Sequence, residues 1–186
     1  MTLALNIGCG AYPLPPPYRN IDSRPGPGVD EVARVPPLAY ADGSVDAIYA
    51  GHVLEHLPPW DVAVFLAECY RVLRPGGTLT VVVPDERKAR LGLLSTRLGL
   101  EQYSAIVGGA LPEPTTWTPA RFLRLVAGED EDDMPHWTLW NTHRLYQALT
   151  RAGFVLNLDY AWHRDERVAD RSICAYWQTG AQGVRP

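Results

Sequence analysis

The chain opens on Leu3-Ala4-Leu5-Asn6-Ile7 and runs directly into Gly8-Cys9-Gly10. A short apolar run that stops at two glycines with one small residue between them narrows the available folds. It predicts a buried strand over residues 3–7 that ends where the backbone must turn tightly. Glycine at such a strand end leaves no Cβ between the main chain and a ligand. Many strands end in glycine, so this one gains meaning only from its downstream partners. The rest of the chain must supply the other parts of a nucleotide-type site in order.

Ala11-Tyr12-Pro13-Leu14-Pro15-Pro16-Pro17 cannot be a helix interior. Tyr18-Arg19-Asn20-Ile21-Asp22 then reads as a second strand ending in a carboxylate. Val29–Val32 reads as a short third strand and Val45–Ala50 as a fourth. A helix is expected from Asp61 to about Leu73, with Val62, Phe65, Leu66, Cys69, Val72 and Leu73 at helical spacing. Arg74-Pro75-Gly76-Gly77 should end it. Thr78–Val83, almost wholly apolar or β-branched, suits a central parallel strand covered on both faces. A second helix is expected over Thr142–Ala152, ended by Gly153. Phe154–Tyr160 and Arg171–Trp177 are spaced as a closing antiparallel pair. Residues 86–135 read as an insertion or lid over one end of the sheet. It contains Arg87, Lys88 and Arg90, read as a solvated helix face, and the acidic run Glu129–Asp133, read as a solvated loop. Strands alternating with helices predict one α/β domain over residues 1–186.

Composition bounds the function. The 186 residues carry a formal net charge of −4, which argues against broad contact with a phosphate backbone, so no nucleic-acid partner is expected. The three cysteines, Cys9, Cys69 and Cys174, form neither a disulfide framework nor a CxxC pair and suit a reducing, cytoplasmic compartment. No apolar run is long enough to span a bilayer, so no membrane partner is expected.

Five segments stand in a recognisable order: Leu5–Gly10, Asn20–Asp22, Asp42–Tyr49, His52–Leu57 and Tyr70–Leu79. In these the chain resembles a class I S-adenosylmethionine-dependent methyltransferase of the type 11 kind. The resemblance is close over roughly residues 3–84 and loose near Gly153. It implies a Rossmann-like three-layer sandwich around a mostly parallel seven-stranded sheet with an antiparallel last strand. Here the first connector is shortened and an insertion follows the fifth strand. It also implies S-adenosylmethionine as cofactor and S-adenosylhomocysteine as product. The cofactor-binding positions it assigns are Asn6, Gly8, Cys9, Gly10, Asp22, Val35, Ala50, Gly51 and His52. Gly8 and Gly10 would let backbone approach the methionine part, and Asp22 would accept hydrogen bonds from the ribose hydroxyls. Asp46, at the start of its strand, reads as structural. The chain departs from the family at Asn6, where many members have Asp. It departs again in the missing helix after Gly10, and at Arg34, near the usual place of an adenine-side Asp.

His52-Val53-Leu54-Glu55-His56 also matches HxxEH, in which two helix histidines one turn apart bind zinc and the Glu activates water. The strand before it and Pro58-Pro59 after it leave little room for that helix, so Glu55 and His56 read as packing and capping beside the cofactor loop, with no metal expected. On the acceptor side, His136 is the candidate base or acceptor-orienting group, and Tyr103, Trp137 and Trp140 are candidate pocket walls. The expected activity is methyl transfer to an oxygen or nitrogen of a small-molecule acceptor. A non-catalytic binding or interaction protein of the same fold is the alternative, and a zinc hydrolase is a distant third.

Overall fold

A computed structural model describes residues 2–87, 137–168 and 178–186. Tyr103, His136, the expected insertion beyond Arg87 and the expected strand at Arg171–Trp177 lie outside the described residues. The strands are β1 (Ala4–Ile7), β2 (Tyr18–Asp22), β3 (Glu31–Val32), β4 (Val45–Gly51), β5 (Leu73–Pro84), β6 (Val155–Leu156) and β7 (Gln178–Val184). The helices are α1 (Pro59–Val72) and α2 (Thr142–Arg151). All strands join one seven-stranded sheet in the order β3-β2-β1-β4-β5-β7-β6. Neighbours from β3 to β5 pair in parallel, and β7 runs antiparallel to β5 and β6. The expected α/β class and antiparallel closing strand are therefore present.

Strand alternation divides the sheet into two faces. Leu5, Ile7, Ile48, Ala50, Leu79, Val81 and Val83 join the main core with Phe65, Leu66 and Cys69 of α1 and Leu145 and Leu149 of α2. Burying a side chain such as Phe65, which is fully inaccessible, stabilises the fold by about 1.5–3 kcal/mol. Pro59 occupies the first turn of α1, where a missing N–H costs nothing. Asn141 caps α2 by accepting from the Arg144 backbone N–H at 3.0 Å. Gly153, at φ 96°, ends it.

On the opposite face the described residues supply irregular chain. The Asn20 side chain accepts from Leu14 N–H at 2.7 Å, donates to Leu14 C=O at 3.0 Å and accepts from Asn6 Nδ2 at 2.8 Å. These bonds hold the proline-rich connector against β1 and β2 where a helix would otherwise lie. Beside it, Arg167 donates to Asp165, to the Tyr18 hydroxyl at 2.9 Å and to Thr80 Oγ1 at 3.2 Å. Its guanidinium also stands over the Tyr49 ring, 5.3 Å from the centroid.

Two local expectations need correction, and one strand is not among those expected. Arg74-Pro75-Gly76-Gly77 does not separate α1 from a later strand. Leu73, in extended conformation, already pairs with Val45, the register then shifts, and pairing resumes at Ala47 with Thr78. The bulge closes on Arg185, which accepts from Gly76 N–H at 2.7 Å and donates to Gly77 C=O at 2.9 Å. Next, Phe154–Tyr160 contracts to β6, because Asn157 bonds β7 through its N–H and then turns the chain, accepting from Asp159 and Tyr160. The strand not among those expected is Gln178–Val184. Its glycines hide it from a reading by β propensity. A Cβ on Gly180 would stand 2.6 Å from Trp162 Cβ, and one on Gly183 2.7 Å from Phe154 Cβ, so packing dictates glycine where β propensity would not.

Candidate functional site

The strand order reverses at β1 and β4, and the carboxyl ends of β1, β2, β4 and β5 form the edge where open α/β sheets take their ligands. Gly8, Cys9, Gly10, Asp22, Gly51 and His52 all come together along this edge. Gly8 and Gly10 both adopt left-handed backbone, at φ 68° and 50°, which favours glycine. Their surroundings differ. A Cβ on Gly8 would lie 2.6 Å from Val53 Cγ2, so the space beside it belongs to the protein's own side chain. A Cβ on Gly10 would meet nothing within 4 Å.

The loop is tied to β2 at three points. Gly8 and Cys9 N–H donate to Ile21 C=O at 2.8 and 3.1 Å, and Gly10 N–H donates to Asp22 Oδ2 at 2.8 Å. Asp22 Oδ1 accepts from Arg24 N–H at 3.0 Å. An ionised carboxylate offers about four lone-pair sites, so two backbone bonds leave room for two ribose hydroxyls. A glycine loop with open space beside Gly10, next to a strand-end carboxylate with acceptor capacity, fits S-adenosylmethionine. Burial, and after it the charge of Asp22, pushes the Cys9 thiol up.

The remaining expected positions are less direct. Asn6 is buried and donates to Asn20 and to Tyr12 C=O, so it supports the connector. Ala50 is fully buried in the main core, which leaves only its backbone for a ligand. Val35, beyond β3, packs its side chain against that core. Gly51 is glycine for an internal reason: a Cβ there would stand 2.8 Å from the Tyr49 hydroxyl. Burial, then the Asp165 charge, drives that phenol far above its ordinary range.

His52 stands at φ 56°, with its N–H on Val82 C=O at 2.9 Å. Its Nδ1 lies 3.0 Å from Glu55 Oε1 and its Nε2 3.2 Å from Gln178 Oε1. Glu55 is 1% exposed. Burial works to raise its carboxyl, but the His52 hydrogen bond and charge, with the charge of His56, hold it below the usual carboxylate range. The zinc-helix reading fails on this geometry. Only Leu54–His56 is helical, as one 3-10 turn, and His52 precedes it in left-handed backbone. The two histidines therefore do not stand one α-turn apart. Among the described residues no group of three or more His, Cys, Asp or Glu is arranged to hold a metal ion.

On the acceptor side, Trp137 is 57% exposed and its N–H donates to Glu55 C=O at 2.7 Å, which places it beside the site. Trp140 is a correction. It is buried in the main core with its indole N–H on Thr138 Oγ1 at 2.8 Å, so among the described residues it packs the fold. A cavity of 420 Å³ lies against Pro13, Leu14, Tyr18, Asn20 and Asp30, between the proline-rich connector and β2. Sequence reasoning assigns Glu55 to packing and capping, outside its zinc alternative, and does not single out Gln178. The HxxEH spacing flags Glu55, but no local signal can join Gln178 to His52 across 126 positions.

Residues 23–81 match the model of a methyltransferase domain family. Over 68 residues the chain is 43% identical to a probable S-adenosylmethionine-dependent methyltransferase of Mycolicibacterium smegmatis, an alignment covering 37% of this chain and 23% of that protein. The chain thus spans less than a quarter of the length of the curated relatives it matches. Two solved structures share the fold. One, from Thermotoga maritima, is described as a methyltransferase and possible histamine N-methyltransferase (TM-score 0.59, 15% identity, 100% of this chain and 83% of that chain). The other is the Burkholderia thailandensis 1,6-didemethyltoxoflavin-N1-methyltransferase with bound 1,6-didemethyltoxoflavin and S-adenosylhomocysteine (TM-score 0.58, 15% identity, 98% and 70%).

Proposed function

We propose that the chain is a class I S-adenosylmethionine-dependent methyltransferase that transfers a methyl group to an oxygen or nitrogen of a small-molecule acceptor, a reading supported by the matches over residues 23–81 and over 68 residues. The carrying observation is the contact between Gly10 N–H and Asp22 at the open carboxyl edge of the sheet. S-adenosylmethionine, when bound, supplies a methyl group on a positively charged sulfur. The residues of this chain bind and orient. Gly8, Cys9 and Gly10 present backbone to the methionine end, Asp22 takes the ribose, and the Val35 backbone faces the adenine side. Ala50, Gly51 and His52 flank the sulfur, with Asn6 supporting from beneath.

Trp137, Tyr103 and His136 are assigned to the acceptor side, His136 as base or orienting group. Residues 86–135 are assigned to covering the acceptor within a single domain. The free Cys9 and Cys69 support a cytoplasmic location. No helix of the described residues is long and apolar enough to cross a membrane.

Titration calorimetry with S-adenosylmethionine and S-adenosylhomocysteine tests the reading. Micromolar binding of either is expected, and binding of neither defeats it. A non-catalytic protein of this fold is the second reading, favoured by the proline-rich connector that replaces a helix beside the glycine loop. Cofactor binding with no methyl transfer to any of a broad panel of small acceptors would select it.

A further inference from the structure

Helices α1 and α2 pack on the same face of the sheet, and their outer surfaces differ in kind. Every exposed residue of α2 is polar: Thr142, His143, Arg144, Gln147, Thr150 and Arg151. Every exposed residue of α1 is apolar: Pro59, Trp60, Ala63, Val64 and Ala67. Trp60 is 70% exposed and Val64 49%. Trp60, Ala63, Val64 and Ala67 stand at i, i+3, i+4 and i+7, one stripe that runs opposite the buried Val62, Phe65, Leu66, Cys69 and Val72. A helix apolar on both faces ordinarily has cover on both, and among the described residues only the inner face of α1 has it. The charged groups are placed so that cover over the stripe strands none of them. Asp61 flanks the stripe in the first turn. Arg71, at its end, is held by Glu68, Asp42 and the carbonyls of Leu38 and Tyr40.

We propose that this stripe is an interface between two copies of the chain, with the α1 helices antiparallel about a two-fold axis that passes between Ala63 and Val64. The stripe is complementary to itself in size. About that axis Trp60 lies over Ala67 of the second copy and Ala63 over Val64 of the second copy, and each contact repeats by symmetry, so the largest side chain meets one of the smallest. Ala63 and Ala67 let the helices approach toward the short end of the usual spacing, about 8 Å. The stripe is complementary in charge as well. Antiparallel helices oppose their dipoles, and the end with Asp61 comes to the end of the second copy that carries Arg71, whereas a parallel pair would set like ends together. The area fixes the strength. At 70% exposure Trp60 offers roughly 175 Å². The whole stripe is on the order of 400 Å², a size at which exposed apolar patches mark interaction sites. Two stripes with their flanks bury about 1,200 Å² at most, the low end for a specific pair, so the dimer is a reversible one.

Sedimentation velocity on the full chain, with no cofactor added, reads the oligomeric state. A concentration-dependent equilibrium between monomer and dimer is expected, with a Kd of about 10–100 µM. W60A removes the anchor, and A63E sets a charge beside the axis against its own symmetry mate. Each should weaken association by about tenfold or more while far-UV circular dichroism stays that of wild type. Both positions are exposed, and A63E serves if W60A does not fold. Q147E, on the polar face of α2, is the control and should dimerise like wild type. Disulfide trapping reads the geometry. Two A63C residues stand within about 2 Å of each other along the helix axes and should cross-link on mild oxidation, whereas two A67C residues lie about 10 Å apart along them and should not. Wild type oxidised in parallel accounts for the native cysteines. A wild type that stays monomeric up to several hundred micromolar overturns the proposal and leaves the face to a protein of another kind. A dimer indifferent to both W60A and A63E, or A67C that cross-links as readily as A63C, overturns it as well.

Discussion

Gly10 and Asp22 meet at 2.8 Å, backbone N–H to carboxylate, across the ends of two adjacent parallel strands. The contact makes Asp22 a brace for the glycine loop, beside the ribose-binding role proposed for it. The two roles separate by measurement. D22N keeps an oxygen for the Gly10 N–H but loses the charge and half the acceptor capacity. Binding of S-adenosylmethionine should weaken roughly 10–100-fold by calorimetry, with little change in thermal midpoint. A large fall in midpoint at unchanged affinity would make Asp22 a brace alone.

The two glycines of the loop should respond differently to alanine. G8A meets both left-handed strain and the Val53 methyl 2.6 Å away, so a loss of about 2–4 kcal/mol is expected in chemical denaturation. G10A meets only the strain, about 1 kcal/mol, because nothing stands within 4 Å of its Cβ. Its larger effect should be on cofactor affinity. V53A placed on G8A should recover the steric part and leave the backbone part. Equal stability losses in G8A and G10A would contradict this division.

Arg167 braces the face on which the described residues place no helix. Its partner Asp165 is 8% exposed at the side chain and keeps its carboxyl low against burial through Arg167, the adjoining backbone N–H and Tyr160. R167M removes the cation and strands a buried carboxylate, a change expected to destabilise by about 3 kcal/mol. The double variant R167M/D165N should lose clearly less, and cofactor affinity should stay close to wild type in both when folded. Additive losses in a double-mutant cycle would show the two residues to be uncoupled.

Legibility in the sequence tracks the range of the interactions. β2 is readable residue for residue, and β1, β4 and the core of β5 nearly so, because apolar or β-branched runs bounded by turn residues are local signals. The burial of Val62, Phe65, Leu66, Cys69 and Val72 on one face of α1 is readable for the same reason. β7 is not, since Gly180 and Gly183 answer to Trp162 and Phe154 far back in the chain. The same limit governs the site. Gly8, Gly10 and Asp22 announce themselves by position at strand ends. Trp140 reads as a pocket wall because nothing local distinguishes a wall from a core indole, and Val53 occupies the space that Gly8 alone suggests for a ligand.

Glu68 offers a prediction in pH. It accepts from Arg71 Nε at 2.8 Å and NH2 at 2.9 Å and from Leu38 N–H at 3.0 Å, while Arg71 also donates to the carbonyls of Leu38 and Tyr40 and to Asp42. Helix α1 thereby holds the segment that leads into β4. The Arg71 bonds, then the Leu38 N–H, lower the Glu68 carboxyl from 4.5 to about 2. A folded-state value below the unfolded one contributes stability that is fully present above about 4.5 and is lost as pH falls through about 2. E68Q should therefore be less stable than wild type by about 1 kcal/mol at pH 7, discounted for the solvent that reaches the pair. The difference should hold down to pH near 5 and narrow below it. Urea denaturation of both proteins at pH 7, 5 and 3.5 measures it, and a difference of constant size across that range would show that the Glu68 charge contributes nothing.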